Sequence, residues 1–266
     1  LRDVYKRQHV TDRVAFLALL NKALGTGQAT YVEINGFIEE EDLDGLKTWI
    51  QELITYPITG FHFADWAVLM ILEELDYQGQ TIYAPETILT NTLEAHTILK
   101  SVDRIQLSKE LTLAEIVALC QAFPDKIELF GAGHLQMSVS RRPLLTSYLA
   151  HLGQSETVLN QIDYRIRELK REEKMPVLEE ARTFCVFTQD ILNPLEELPQ
   201  LTQAYSLHLD PLFMKADEAK AFFSLILDQV KAYDPLKNES FYITYPSLPL
   251  FKGYFYRKTN LGKEGA

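Results

Sequence analysis

The sequence predicts an α/β fold, a (β/α) TIM-like barrel, from three observations. Short strand-like runs recur, each closing on a polar residue; amphipathic segments lie between them; and no nucleotide-binding glycine fingerprint is present. An open doubly wound sheet would also place ligands at its strand ends. Six or seven recurring strands without such a fingerprint favour the barrel.

Taken in order, TYVEIN closes on Asn35, GFHFAD on Asp65, TIYAPE on Glu86, RIQLSKE on Glu110 and KIELFGAGH on His134, at spacings of 30, 21, 24 and 24 residues. Repeated strand–helix units of a parallel sheet have such a rhythm. DLDGLKTWIQELI and DWAVLMILEEL supply helices between the strands. TLAEIVALCQAF opens on Thr112 with Glu115 three residues later, a capping box before an apolar run. After Tyr148 the rhythm breaks. Residues 153–182 hold RIRELKREEK and little apolar periodicity, and are expected to form an inserted charged hairpin. TFCVFTQD and AYSLHLD resume the repeat, ending at Asp190 and Asp210, and a helix is expected from about Ala216 to Tyr233. The expected layout is residues 9–152 as the first part of the barrel, 153–182 as the excursion, 183–240 as the end of the barrel and 241–266 as an aromatic, basic tail. LRDVYKRQ, residues 1–8, fits no later pattern and is expected to be a non-native scar.

Composition narrows the function classes. The 266 residues are 47% apolar and 24% charged, ordinary for a globular domain. No run of about twenty uncharged apolar residues occurs, so no membrane partner is expected. No basic-then-apolar leader opens the chain, and Cys120 and Cys185 are its two cysteines, so a cytoplasmic location is expected. A net charge of −11 argues against holding nucleic acid by bulk electrostatics. It leaves room for a local basic face or a basic partner.

Asp65, Glu86, Glu110, His134, Asp190 and Asp210 would converge on one rim of a barrel. Grouped carboxylates raise one another's pKa or hold a cation. Acids at such positions also cap the following helix, where negative charge gains about 0.3–1 kcal/mol. Glu110 stands apart, because Leu111 and Thr112 intervene before its helix begins. In IELFGAGHLQMSVSRRPLL, Gly131 and Gly133 would allow a tight turn or a close approach to ligand, His134 could titrate near neutrality, and Arg141 and Arg142 could fork onto a carboxylate or phosphate. Singly these are also a glycine turn, a satisfied histidine and a solvated basic pair. Together they favour an anion-facing loop.

Protease chemistry finds no recognisable centre. HExxH and GxSxG are absent and no cysteine stands beside a histidine; Ser138 and Ser140 lie near His134, but nearness in sequence makes no triad. Cys120 and Cys185 sit in apolar patterns that read as packing, and two cysteines cannot supply the four thiolates an iron–sulfur cluster takes. No metal or other cofactor is expected. In the tail, Lys252, Arg257, Lys258 and Lys263 alternate with Phe251, Tyr254, Phe255 and Tyr256. Such a segment can stack on single-stranded RNA, or dock its rings on the domain with its lysines in water.

At RIQLSKELTLAEI and IELFGAGHLQMSVSRRPLLTSY the chain resembles the collagenase-like peptidases of family U32. Glu110 matches the glutamate of the family's Arg-Glu-Leu strand end, and Glu128, Phe130, Gly133, Ser140, Arg142, Leu144 and Leu145 match its next block. Asp65, in FHFADWAVL, falls where the family carries an aspartate after its fourth strand. PETILTN, Pro85 to Asn91, looks like the variant of a short branch that works beside a longer paralogue. Gln136 and Pro143 stand where the family has cysteines, the later cysteine pair is missing from residues 153–182, and His208 to Leu212 replace a Lys-x-Glu-Gly-Arg strand end. The family's first two barrel strands have no counterpart here. The resemblance therefore implies an amino-terminally truncated, cluster-less member.

The family was named for collagen cleavage, while better-understood relatives take part in oxygen-independent hydroxylation of tRNA, ribosomal RNA or ubiquinone with cysteine-bound iron–sulfur clusters. The short branch is linked to hydroxylation of wobble uridine in tRNA. The resemblance thus implies a non-cluster subunit of a tRNA-uridine hydroxylating system, partnered by a longer cysteine-bearing U32 paralogue, with tRNA as a second candidate partner. A U32 peptidase and a non-catalytic barrel that steadies such a paralogue are the alternatives. The expected site has Glu110, Asp65 and His134 as catalytic residues, and Glu86, Asn91, Gly131, Gly133, Ser140, Arg141 and Arg142 as ligand-binding residues.

Overall fold

The computed structural model describes residues 13–85, 88–155, 158–170, 172–180 and 183–257. In chain order the elements are α1 (Arg13–Leu24), β1 (Tyr31–Ile34), α2 (Leu43–Leu53), β2 (Gly60–Phe63), α3 (Trp66–Glu74), β3 (Gln80–Tyr83), α4 (Thr92–Ile98), β4 (Arg104–Gln106), α5 (Leu113–Ala122), β5 (Ile127–Ser140), α6 (Leu144–His151), β6 (Arg165–Ile166), β7 (Met175–Glu180), β8 (Thr183–Leu192), β9 (Ser206–Leu209), α7 (Ala216–Lys231), α8 (Pro235–Thr244) and β10 (Leu250–Phe251). They divide into two compact units, Leu1–Pro85 with Gln136–Gln189 and Glu86–Leu135 with Asp190–Ala266. Each unit contains parallel strands alternating with helices, the partial β/α barrel class that the sequence predicts.

In the first unit β1, β2 and β3 run parallel, with Tyr31 opposite Gly60 and Gly60 opposite Gln80. Only glycine fits at 60, since a Cβ there would lie 2.3 Å from the Gln80 carbonyl oxygen. Phe61, Phe63 and Ile82 from the strands, Ile50 and Leu53 from α2, and Val68, Leu69 and Leu72 from α3 form the core. Full burial contributes about 1.5–3 kcal/mol for each such side chain. Asp65 starts α3 by accepting a 2.9 Å hydrogen bond from the Ala67 amide.

The charged excursion does contain a hairpin, with Ile166 of β6 antiparallel to Met175 of β7. Two readings need correction. MPVLEE belongs to no solvated excursion, because β7 is a strand whose Pro176–Glu180 are all buried. TFCVFTQD is entered through a hairpin and not through a crossover helix, since β8 pairs antiparallel with β7, Val177 opposite Val186. Only two residues separate β7 from β8, and a parallel crossover needs a dozen or more.

In the second unit β4, β5 and β9 are parallel, with Gln106 opposite Glu128 and Glu128 opposite Ser206. β10 lies parallel to the end of β8, Leu250 opposite Ile191. The capping box forms as expected: the Thr112 side chain accepts from the Glu115 amide, and the Glu115 carboxylate accepts from the Thr112 amide at 2.9 Å. Where one long helix and an aromatic tail are expected, the structure has two helices. Asp234 accepts from the Leu236 amide at 3.0 Å and Pro235 occupies the first turn, which is a helix start. The first residues of the expected tail thus end α8, and Phe241 stacks on Phe222 of α7 at 5.5 Å within the core. Among the described residues no helix is long and apolar enough to cross a membrane.

Candidate functional site

The parallel strands of the second unit have two unlike faces. Side chains alternate along a strand, and the register sets Ile105, Ile127, Leu129, Leu207 and Leu209 on one side and Gln106, Glu128, Phe130, Ser206 and His208 on the other. Leu207 and Leu209 pack on the cluster of Ala132, Phe222, Ile226 and Phe241. The opposite face is polar and nevertheless inaccessible: Arg104 and Gln106 are each 4% exposed and Glu128 6%. Arg104 Nε donates to Glu128 Oε1 at 2.7 Å, and the Arg104 guanidinium stands 4.0 Å from the centre of the Tyr205 ring. Desolvating two such charges costs several kcal/mol per ion, and apolar residues of similar volume often serve stability as well. Buried charged groups of this kind occur both at functional sites and in structural ion-pair networks.

Toward the carboxyl end of these strands the polar face meets an aromatic row. Lys109 Nζ lies 5.5 Å from the Phe130 ring centre, and Phe130 lies 5.6 Å from the His208 ring. His134 is buried and meets the edge of Phe213 at 5.8 Å. Phe213 has φ +66, a conformation that bulky residues adopt at a cost of order 1–3 kcal/mol and that gathers at functional sites. Glu110 is exposed at the rim, and its amide donates to Ser108 Oγ at 3.3 Å. The charge of Glu110 is felt by Tyr254, whose phenol is raised above its ordinary pKa by burial first and by Glu110 second.

The glycines serve the backbone. A Cβ on Gly131 would lie 2.9 Å from Leu207 Cβ, and one on Gly133, with φ +134, 2.6 Å from the Asp210 carbonyl oxygen. Both therefore let the chain at β9 close on β5. Asp210 Oδ1 accepts from the Leu212 amide at 3.0 Å, holding the turn that leads to Phe213. Asn91 caps α4 by accepting from the Glu94 amide at 2.9 Å.

Asp65, Ser140, Arg141 and Arg142 belong to the first unit, whereas Glu110 and His134 belong to the second. Beyond capping α3, Asp65 has no hydrogen bond or ion pair among the described residues. Arg141 pairs with Glu39 and faces the Phe37 ring at 5.9 Å, and Ser140 Oγ accepts from the Arg142 amide at 3.1 Å. Arg142 is exposed. Glu86 lies outside the described residues.

Cys120 is buried on α5, and burial pushes its thiol up to about 11; Cys185 is buried on β8. Neither fits the thiolate set of an iron–sulfur cluster. Among the described residues no group of three or more His, Cys, Asp or Glu side chains is arranged to hold a metal ion. Arg104, Gln106, Lys109, His208 and Tyr254 were not anticipated as site residues, although the alternation in RIQLS, KIELF and SLHLD could have marked the first, second and fourth.

Compared with known proteins, the chain matches the model of the family described as Peptidase family U32 over residues 11–243. No curated protein and no solved structure matches it.

Proposed function

The chain belongs to peptidase family U32, and from that membership we propose that it acts in oxygen-independent hydroxylation of tRNA uridine, as a subunit without an iron–sulfur cluster beside a longer, cysteine-bearing paralogue. The supporting observation is the buried polar face of β4, β5 and β9, with Glu110 at its rim. Gln106 offers both a donor and an acceptor, as does each neutral histidine ring, and a pyrimidine edge presents both kinds of group. Phe130 and His208 supply flat surfaces on which a base can stack. Glu110 would bind or polarise the ligand, or exchange a proton with it. With a net charge of −11, the partner would supply most of the attraction for RNA.

Peptide cleavage would need an activated nucleophile. Ser138 is exposed and four residues beyond His134 in the same strand, a span of about 13 Å of extended backbone. Cys120 is a buried thiol held above its ordinary pKa, the reverse of an activated thiolate.

The test is deletion of the gene with mass spectrometry of wobble uridine, followed by complementation. Hydroxylation is expected to vanish on deletion, to return with the wild-type chain, and to stay about tenfold or more below it with Glu110→Gln. Unchanged hydroxylation in the deletion strain overturns the proposal.

A further inference from the structure

Helix α7 turns two faces to different surroundings. Ala219, Phe222, Ile226 and Gln229 are buried, and Phe222 and Ile226 enter the core of the second unit. About half a turn away stand Asp217, Lys220, Ser224, Asp228 and Lys231, all exposed. Their spacings of three, four, four and three residues keep them on one side of the helix. Leu227 lies among them, 55% exposed, and Val230 flanks them, 60% exposed. Tyr233 and Leu236 follow, exposed as well.

The order of charges on this side is self-complementary. Asp217 and Lys231 stand seven residues before and after Ser224, and Lys220 and Asp228 stand four before and after it. Each pair joins opposite signs. The helix macrodipole favours an acid in the first turn and a base in the last, which accounts for Asp217 and Lys231. It would place the inner pair the other way round. Pairing along the helix does not account for them either. Asp217 and Lys220 are three residues apart, as are Asp228 and Lys231. Yet none of these four side chains has a hydrogen bond or ion pair among the described residues, whereas Lys215 and Glu218 pair at 3.2 Å.

We propose that this face of α7 is the twofold interface of a dimer of the chain, with the two helices antiparallel and crossing at Ser224. A twofold interface sets residue i against j and j against i. Lys220 then faces Asp228 of the second copy, Asp217 faces Lys231, and each contact occurs twice. Ser224 is small and lies on the axis, so the helices can approach closely there. Leu227 meets Ala221 of the second copy on either side of it. A parallel pairing would set Lys220 against Lys220, so the charges select the antiparallel orientation as well as the partner. The net charge of −11 on each chain repels a second copy. At physiological salt that repulsion is screened beyond about 8 Å, and pairs partly buried in the interface are screened much less.

The experiment is analytical ultracentrifugation of the full chain over a concentration series. The wild type is expected to dimerise with a dissociation constant on the order of 10 μM. Lys220→Asp with Lys231→Asp makes the face acidic, and Asp217→Lys with Asp228→Lys makes it basic. Each double variant is expected to associate with itself about a hundredfold more weakly, because like charges replace opposite ones at every contact. Mixed in equal amounts, the two variants are expected to form a heterodimer about as tight as the wild-type dimer. Ser224→Arg sets two cations on the axis and is expected to give a monomer with the wild-type circular dichroism. A monomeric wild type overturns the proposal, including the case in which a different protein covers the face. So does a dimer that Ser224→Arg or both double variants leave intact. A mixture of the two double variants that stays monomeric, with both folded by circular dichroism, overturns it too.

Discussion

Arg104 and Glu128 form an ion pair at 2.7 Å on adjacent parallel strands, with their side chains only 5% and 9% exposed. Breaking such a pair from one side leaves a charge in a low-dielectric setting. Arg104→Met or Glu128→Met alone is therefore expected to cost about 3–5 kcal/mol, whereas the double replacement falls well short of the sum. Urea unfolding of the three variants checks this. If the double variant is stable and the hydroxylation it supports in cells is lost, the pair serves the site; a double variant that keeps full activity assigns it to folding alone.

Glu179 acts over a longer sequence distance. Its carboxylate, on β7, accepts from the Leu145 amide at 2.7 Å and the Thr146 amide at 3.1 Å, and also bonds the Thr146 hydroxyl. It thus caps α6, whose own preceding residue, Pro143, offers no side-chain acceptor. Glu179→Gln is expected to weaken this cap by about 1.5–3 kcal/mol, as for hydrogen bonds to a charged group. Amide exchange at Leu145 and Thr146 is the readout, and rates equal to wild type would show that the carboxylate contributes little.

These two glutamates show what the sequence could and could not convey. Local signals were legible: Thr112 with Glu115 announces α5, Asp65 precedes α3, and the strand runs ending near Asn35 and Asp65 fall where strands stand, whereas the run expected to close on His134 continues as β5 to Ser140. Partners distant in sequence were not. Glu179 follows a run of charged residues, Glu172 to Lys174, and reads as solvated until β8 folds back on β7 and α6 comes to lie against it. The polar residues of RIQLS and SLHLD were hidden differently. Alternation ordinarily marks a strand with one wet face, so Arg104, Gln106 and His208 read as surface until the structure showed Arg104 and Gln106 buried. Asp234-Pro235 was a start signal within reach and was overshadowed by the aromatic run that follows.

Cys120 gives a chemical check on the packing of α5. Burial pushes its thiol up to about 11, from an ordinary 9.0. The thiolate fraction at pH 8 is then roughly a hundredfold smaller than for a free cysteine. Native protein is expected to resist iodoacetamide at Cys120 and to react at once when unfolded in urea, as read by peptide mass spectrometry. Rapid labelling of the native chain at this position would place the thiol in water.

Glu196 makes the anchorage of Lys252 depend on pH. Burial by itself raises its carboxyl, but the hydrogen bonds from Lys252 and Tyr242, together with the Lys252 charge, outweigh burial and leave the pKa below the ordinary 4.5. A carboxyl that is more acidic in the folded state contributes stability that is fully present above its unfolded pKa and is lost as pH falls through its folded pKa. The loss therefore begins below about pH 4.5 and continues into the more acidic range. Glu196→Gln is expected to be somewhat less stable than wild type at pH 7 and to approach it as pH falls, so that the two curves of urea midpoint against pH converge at the acid end. Parallel curves from pH 7 to pH 3 would mean that Glu197 and the Asn193 carbonyl hold Lys252 without help from Glu196.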